Sequence, residues 1–267
     1  YHPSNHQSQT PNIDRLSALG TSFTNAHAPA TLCNPSRTAI WSGVRPHTSG
    51  CYGLDDKPWT NHVAENMTLN AHLKRRGYYV AARGKTFHSS QGGMGGGKMY
   101  ESEWDEYPKK EERWRVRPGK ESGFLEEVKI DAREDDDADW HTVSYCLDML
   151  KRLEEGHDDR IIKPLFLTCG IVKPHLPWTV PRRYYSMYPL DDIQLPPHID
   201  TDLNDCPTYA VTHMARPETA HADIQRLQRW EDAVQSYLAT IRYADMNIGR
   251  LLDGYDQLSE SIRNNTI

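Results

Sequence analysis

Residues 32–46 read Leu32-Cys33-Asn34-Pro35-Ser36-Arg37-Thr38, then Ala39-Ile40-Trp41, then Ser42-Gly43-Val44-Arg45-Pro46. The run 35–41 has the signature of a short helix opened by proline, which is tolerated there because the first-turn N–H groups have no partner within the helix. Those orphan N–H groups and the aligned peptide dipoles attract anions. Cys33, a small nucleophile, stands directly before the helix. Arg37 falls one turn in, where a guanidinium can bridge a nucleophile and an oxyanion. The combination reads as a nucleophile at an anion-binding helix end, not as a buried thiol beside a cap.

On either side the chain alternates between helix and strand signals. Thr10-Pro11 opens a helix carrying Ile13, Leu16 and Leu19 and stopped by Gly20. Thr68 caps a helix over 69–76 that Gly77 ends, and 78–82 reads as a buried strand with Gly84-Lys85 just past its carboxyl end. The stretch 91–139 is rich first in Gly and then in Lys, Glu and Asp, which predicts a long surface insertion with little regular structure. Helix period returns over 140–155, with Val143, Cys146, Leu147, Leu150 and Leu153 on one face. A second buried strand over 164–172 leads into Lys173-Pro174-His175.

Beyond it, 177–219 reads as a long ordered loop with a short helix near Arg182, and 222–254 as one amphipathic helix. Strands alternating with helices predict a sheet covered by helices on both faces. In such sheets chemistry collects at the carboxyl ends of the strands. The pairs Lys85/His88 and Lys173/His175 both fall there.

The 267 residues carry 31 Lys plus Arg against 37 Asp plus Glu, a formal charge of −6, which speaks against a nucleic-acid partner. Mean hydropathy is −0.77, low for a globular chain but compatible with a core plus large polar loops. The longest mostly apolar run, 165–172, is far short of the roughly 20 residues that span a bilayer, so no membrane span is expected. The five cysteines show no C-x-x-C pairing, which argues against a zinc knuckle. The chain opens on Tyr1-His2-Pro3 without an initiator Met. It closes on Asn264-Asn265-Thr266-Ile267, whose last two β-branched residues read as the first step of a strand. Both ends suggest an internal piece of a longer protein.

Residues 10–46, TPNIDRLSALGTSFTNAHAPATLCNPSRTAIWSGVRP, hold C-x-P-S-R in register, and in this the chain resembles the sulfatases of the alkaline phosphatase superfamily. Two further motifs narrow the likeness. Gly84-Lys85-Thr86-Phe87-His88 puts two residues between Lys and His where most sulfatases have one. Val172-Lys173-Pro174-His175-Leu176-Pro177 continues into RRYYSMYPLDDIQLPP at 182–197. Both resemble the iduronate-2-sulfatase-like branch.

The resemblance implies an α/β fold: an alkaline-phosphatase-like α/β/α sandwich with a central mixed sheet, incomplete here. Residues 1–267 would be the central part of the catalytic domain, without its first strand and C-terminal part. It implies that Cys33 is oxidised to formylglycine by a formylglycine-generating maturation enzyme. After sulfate transfer to the aldehyde hydrate, the hemiacetal ester collapses by elimination. A sulfate monoester spreads charge over three oxygens, so cationic donors at its rim stabilise the transition state. Lys85 and Arg37 are the candidates. His175 would protonate the leaving alkoxide, and His88 would help deprotonate the hemiacetal. Lys173 and His47 are candidates for substrate binding, and Trp178, Tyr184 and Tyr185 for shaping the pocket.

The family also holds a divalent cation, usually calcium, through an Asp pair on the first strand and an Asp-His or Asp-Asn pair on a later one, a donor set suited to a hard cation. Neither pair is in this sequence. They are expected before Tyr1 and after Ile267, leaving Cys33, as formylglycine, as the metal contact. The expected partner is a sulfated saccharide substrate, in a secreted, periplasmic or lysosomal setting. Two rivals stand beside this: a phosphonate monoester or phosphodiester hydrolase using the same nucleophile motif, and a non-catalytic sulfated-glycan binder.

Overall fold

The computed structural model describes residues 7–54, 62–88, 103–108, 133–156, 164–199, 201–214 and 224–267. Its helices are α1 (Pro11–Leu19), α2 (Cys33–Ser42), α3 (Pro46–Ser49), α4 (Leu69–Arg75), α5 (Ala138–Glu155), α6 (Arg182–Tyr185), α7 (Trp230–Asp256) and α8 (Glu260–Arg263). Its strands are β1 (Tyr79–Gly84) and β2 (Leu165–Gly170). They fall into two compact units. A sheet-bearing unit comprises described residues within 12–115, 135–172 and 246–267, and a second unit takes those within 1–11, 116–134 and 173–245.

In the sheet-bearing unit β1 and β2 pair in parallel, Tyr79 opposite Leu165 through Gly84 opposite Gly170. A parallel pair needs a crossover, and α5 supplies it. Asp137 caps α5 by accepting from Asp139 N at 2.7 Å, which places the helix start where the acidic run 134–139 ends. Both faces of the sheet are covered. Tyr79 and Ala81 pack with Leu165, Leu167, Tyr145, Met149 and Leu153 on the α5 side. Val80 and Ala82 pack with Phe87, Trp104, Trp41, Leu73 and Phe166 on the side of α2 and α4. Alternation along β1 thus feeds two cores, giving a helix–sheet–helix layering.

Three expectations change. Within the stretch read as an irregular insertion, residues 103–108 run beside β1: Asp105 N donates to Val80 O at 2.8 Å and Ala82 N to Glu106 O at 3.0 Å, with a parallel bridge between Ala81 and Glu106. The helix expected over 222–254 is interrupted. Gln228 takes φ 52 and Arg229 N closes back on Ile224 O, so α7 begins at Trp230. Ile224 still reaches the core, packing on Ala233 with Trp178 and Trp230. Thr266-Ile267 finishes a turn, with Thr266 N donating to Arg263 O, and is not in a strand.

In the second unit Tyr184 and Tyr185, candidates for a pocket wall, are buried. The Tyr184 ring lies 5.3 Å from that of Tyr243, and its hydroxyl donates to Glu134 Oε1 at 2.9 Å. They serve the core of this unit. No helix among the described residues is long and apolar enough to cross a membrane.

Candidate active site

Cys33 is the first residue of α2 and partly exposed. Leu32 precedes it as an extended cap residue with no side-chain cap bond, so the first-turn N–H groups keep their pull on anions. The helix is fixed from its buried side. Asn34 Nδ2 donates to Gly53 O at 3.0 Å and to Cys51 Sγ at 3.4 Å, and Thr38 Oγ1 donates to Asn34 O at 2.8 Å. These bonds pin the nucleophile-bearing turn to segment 51–53.

Lys85 follows the last residue of β1 and is buried. Its Nζ lies 3.9 Å from Cys33 Sγ, so the strand end and the helix start bring a cation to the thiol. Gly84 makes this turn possible. Its φ is 87, and a Cβ there would lie 2.2 Å from Gly170 O. Only a residue without a side chain lets β1 and β2 end this closely. Lys85 N then donates to Gly170 O at 2.7 Å, continuing the ladder one residue past the strand.

Arg37 is half-buried, and its Nη1 donates to Lys85 O at 2.7 Å and Thr86 O at 2.9 Å. Sequence reasoning gave Arg37 to the nucleophile and an oxyanion. The structure commits this nitrogen to holding the lysine's own backbone. Burial pulls the Arg37 pKa down, and electrostatic attraction to Cys33 and Tyr107 opposes that shift. Trp41 Nε1 adds a bond to Thr86 O at 2.9 Å, and its ring packs 5.4 Å from that of Phe87. His88, half-buried, lies three residues past Lys85 in the same unit.

His47 is exposed on α3. Lys173 and His175 belong to the second unit. Lys173 is buried and its ammonium donates to Pro177 O. His175 is exposed, its Nδ1 2.7 Å from Leu176 O. The structure therefore brings together Cys33, Arg37 and Lys85 with His88 nearby in sequence.

Sequence reasoning missed three contributors: Trp41, Tyr107 and Asp139. Tyr107 OH donates to Gly84 O at 2.7 Å, and Asp139 Oδ1 accepts from Val172 N at 2.7 Å at the end of β2. A bond from Asp139 to a distant strand end has no local signal.

Among the described residues no group of three or more His, Cys, Asp or Glu side chains is arranged to hold a metal ion. The expected calcium does not fit the donors seen, and no step below passes through it. Cys33, the residue expected to be modified, is partly exposed at a helix start with a cation beside it.

Comparison with known proteins places the chain. The Sulfatase family model matches residues 3–267, and the chain belongs to that family. It is 32% identical over 270 residues to a sulfatase of Formosa agariphila, covering 92% of this chain and 50% of the relative. It is 28% identical over 287 residues to iduronate 2-sulfatase of Homo sapiens, covering 97% and 49%. The chain thus spans about half the length of these curated relatives.

Two solved structures share the fold. One is a phosphonate monoester hydrolase of Agrobacterium radiobacter (TM-score 0.70, 17% identity, 95% of this chain and 55% of that one). The other is described as a complex with its substrate D-glucosamine-2-N,6-O-disulfate (TM-score 0.59, 18% identity, 93% and 57%). The α/β fold is that of the alkaline-phosphatase-like sulfatases. Among the described residues its sheet is two parallel strands, so the mixed character expected of the whole sheet is not seen there.

Proposed function

We propose that this chain carries the nucleophile half of a sulfuric ester hydrolase that removes sulfate from a sulfated carbohydrate, with a nucleophile derived from Cys33. The observation that carries this is the 3.9 Å approach of the buried Lys85 ammonium to Cys33 Sγ at the start of α2. Sulfate transfer needs an attacking atom and a fixed cation at the same point, and a buried ammonium acts with less dielectric screening than one in water. Membership in the sulfatase family and the likeness to iduronate 2-sulfatase support sulfate over other esters.

Formylglycine, formed at Cys33 by a maturation enzyme, would supply a hydrated aldehyde as the attacking group. The chain's residues do the rest. Lys85 neutralises the sulfate oxygens, the first turn of α2 offers N–H donors to them, and Arg37 holds the Lys85 backbone. His88 takes the proton that releases the sulfate. His175 gives the leaving alkoxide its proton and Lys173 contacts the saccharide, roles that, like that of His88, rest on the resemblance of their motifs; His47 contacts the saccharide by its place after Pro46, just past the nucleophile helix. The same resemblance assigns the protein to an exported, periplasmic or lysosomal compartment and calcium to the complete site.

The test is the complete protein, co-produced with a formylglycine-generating enzyme, assayed on sulfated monosaccharides and on an aryl phosphate diester. Sulfate release is expected to be faster by at least roughly 10²-fold in kcat/KM. Faster phosphodiester cleavage would assign the phosphoryl reading instead. Binding of sulfated sugar without turnover, with the aldehyde present, would assign a glycan binder.

A further inference from the structure

Lys85 is useful to an anion only if its ammonium is held still, and the turn that carries it is bonded from every side. Lys85 N is held by Gly170 O, Lys85 O by Arg37, and Thr86 O by Arg37 and Trp41. Thr86 N turns back on Gly84 O at 3.1 Å, and Gly84 O and Thr86 Oγ1 both meet one further atom: the Tyr107 phenol oxygen, at 2.7 and 3.0 Å. A phenol has one proton. Since Tyr107 donates it to Gly84 O, Thr86 Oγ1 must donate to Tyr107. One hydroxyl therefore ties the residue before Lys85 to the residue after it.

Tyr107 is itself well anchored. It stands in the 103–108 segment that runs beside β1, and its ring lies 5.3 Å from that of Trp104. Its neighbour Glu106 is bound on the α5 side by the Tyr79 and Tyr145 hydroxyls, each at 3.0 Å, and by Arg152 at 3.1 and 3.2 Å. Glu106 and Tyr107 thus grip β1 and the turn beyond it. Burial raises the Tyr107 pKa, which keeps the phenol protonated.

We propose that Tyr107 is a positioning residue for Lys85, its hydroxyl clamping the Gly84–Thr86 turn so that the ammonium stays at Cys33. This rests on the sulfatase reading above. Misplacing a catalytic group by about 1 Å can cost roughly 100-fold in rate. Tyr107→Phe keeps the ring and removes only the clamp. In the complete protein, with aldehyde content at residue 33 matched by mass spectrometry, it is expected to lower kcat by roughly 10–100-fold with KM within about 3-fold.

The deciding measurement repeats the substitution in a Lys85→Ala background. A group that acts through Lys85 has nothing left to position there, so the double variant should be no slower than Lys85→Ala alone. Multiplicative losses in the double variant would overturn the inference in favour of a general structural role, as would wild-type kcat in Tyr107→Phe. Both outcomes leave the sulfatase reading intact. Absence of sulfate hydrolysis by the matured wild-type protein would overturn that reading and this inference with it.

Discussion

Replacing Lys85 with alanine in the complete, matured protein is expected to lower kcat/KM for a sulfate ester by roughly 10²–10³-fold, the scale for removing one preorganised donor from an oxyanion site. The expectation follows from placement. Lys85 is 7% exposed, and its ammonium sits 3.9 Å from Cys33 Sγ. Its backbone is bonded at N and O, so its position is set before substrate arrives and costs nothing to organise during reaction. Lys85→Arg should recover little, because a planar fork does not reproduce a compact ammonium on a fixed stem. Steady-state kinetics at matched aldehyde content decide it. A loss of less than about 3-fold in Lys85→Ala would mean that the cation is not at the reacting group.

The second large effect is on stability. Gly84→Ala is expected to cost roughly 2–5 kcal/mol, about 1–2 for an L-residue forced into the left-handed region and about 1–3 for crowding. The crowding has a named source: a Cβ at 84 would lie 2.2 Å from Gly170 O and 2.8 Å from Thr142 Cγ2. Gly77 is the internal control. Its φ is 88, close to that of Gly84, but nothing lies within 4 Å of its Cβ position. Gly77→Ala should therefore cost only the backbone share, roughly 1–2 kcal/mol. Urea unfolding of the two variants compares them directly. Equal losses would show that strand closure at Gly84 and Gly170 is not the constraint.

Much of this architecture is legible in the sequence because its signals are local. Thr68 accepts from Ala71 N and Gly77 takes a positive φ, as a cap and a stop should. Both strands, the α5 period and the short helix near Arg182 stand where the residues place them, although β2 is mostly half-buried rather than buried. What failed was non-local. The break at Gln228 is invisible because Ile224 and Leu227 before it and Val234 and Leu238 after it keep helical spacing. The 103–108 segment looked irregular because its pairing with β1 is made by backbone bonds rather than by an apolar alternation.

The site divides the same way. Cys33 and Lys85 are visible as motif residues at element ends, since a helix start and a strand end are written in nearby residues. Their approach to each other is not, nor is the redirection of Arg37 Nη1 to the backbone of Lys85 and Thr86. Tyr184 and Tyr185 illustrate the converse error. Aromatic residues after a catalytic-looking motif invite a pocket reading, yet both are buried, Tyr184 against Tyr243 and Glu134 and Tyr185 with its hydroxyl donating to Trp178 O.

The central claim is that Cys33 is the precursor of the nucleophile. Peptide mass spectrometry across residue 33, on the complete protein co-produced with an active formylglycine-generating enzyme, tests it most directly. The account predicts a peptide about 18 Da lighter than the unmodified cysteine form, thiol replaced by aldehyde. An intact thiol at Cys33, beside a control substrate that the same enzyme converts, would contradict it.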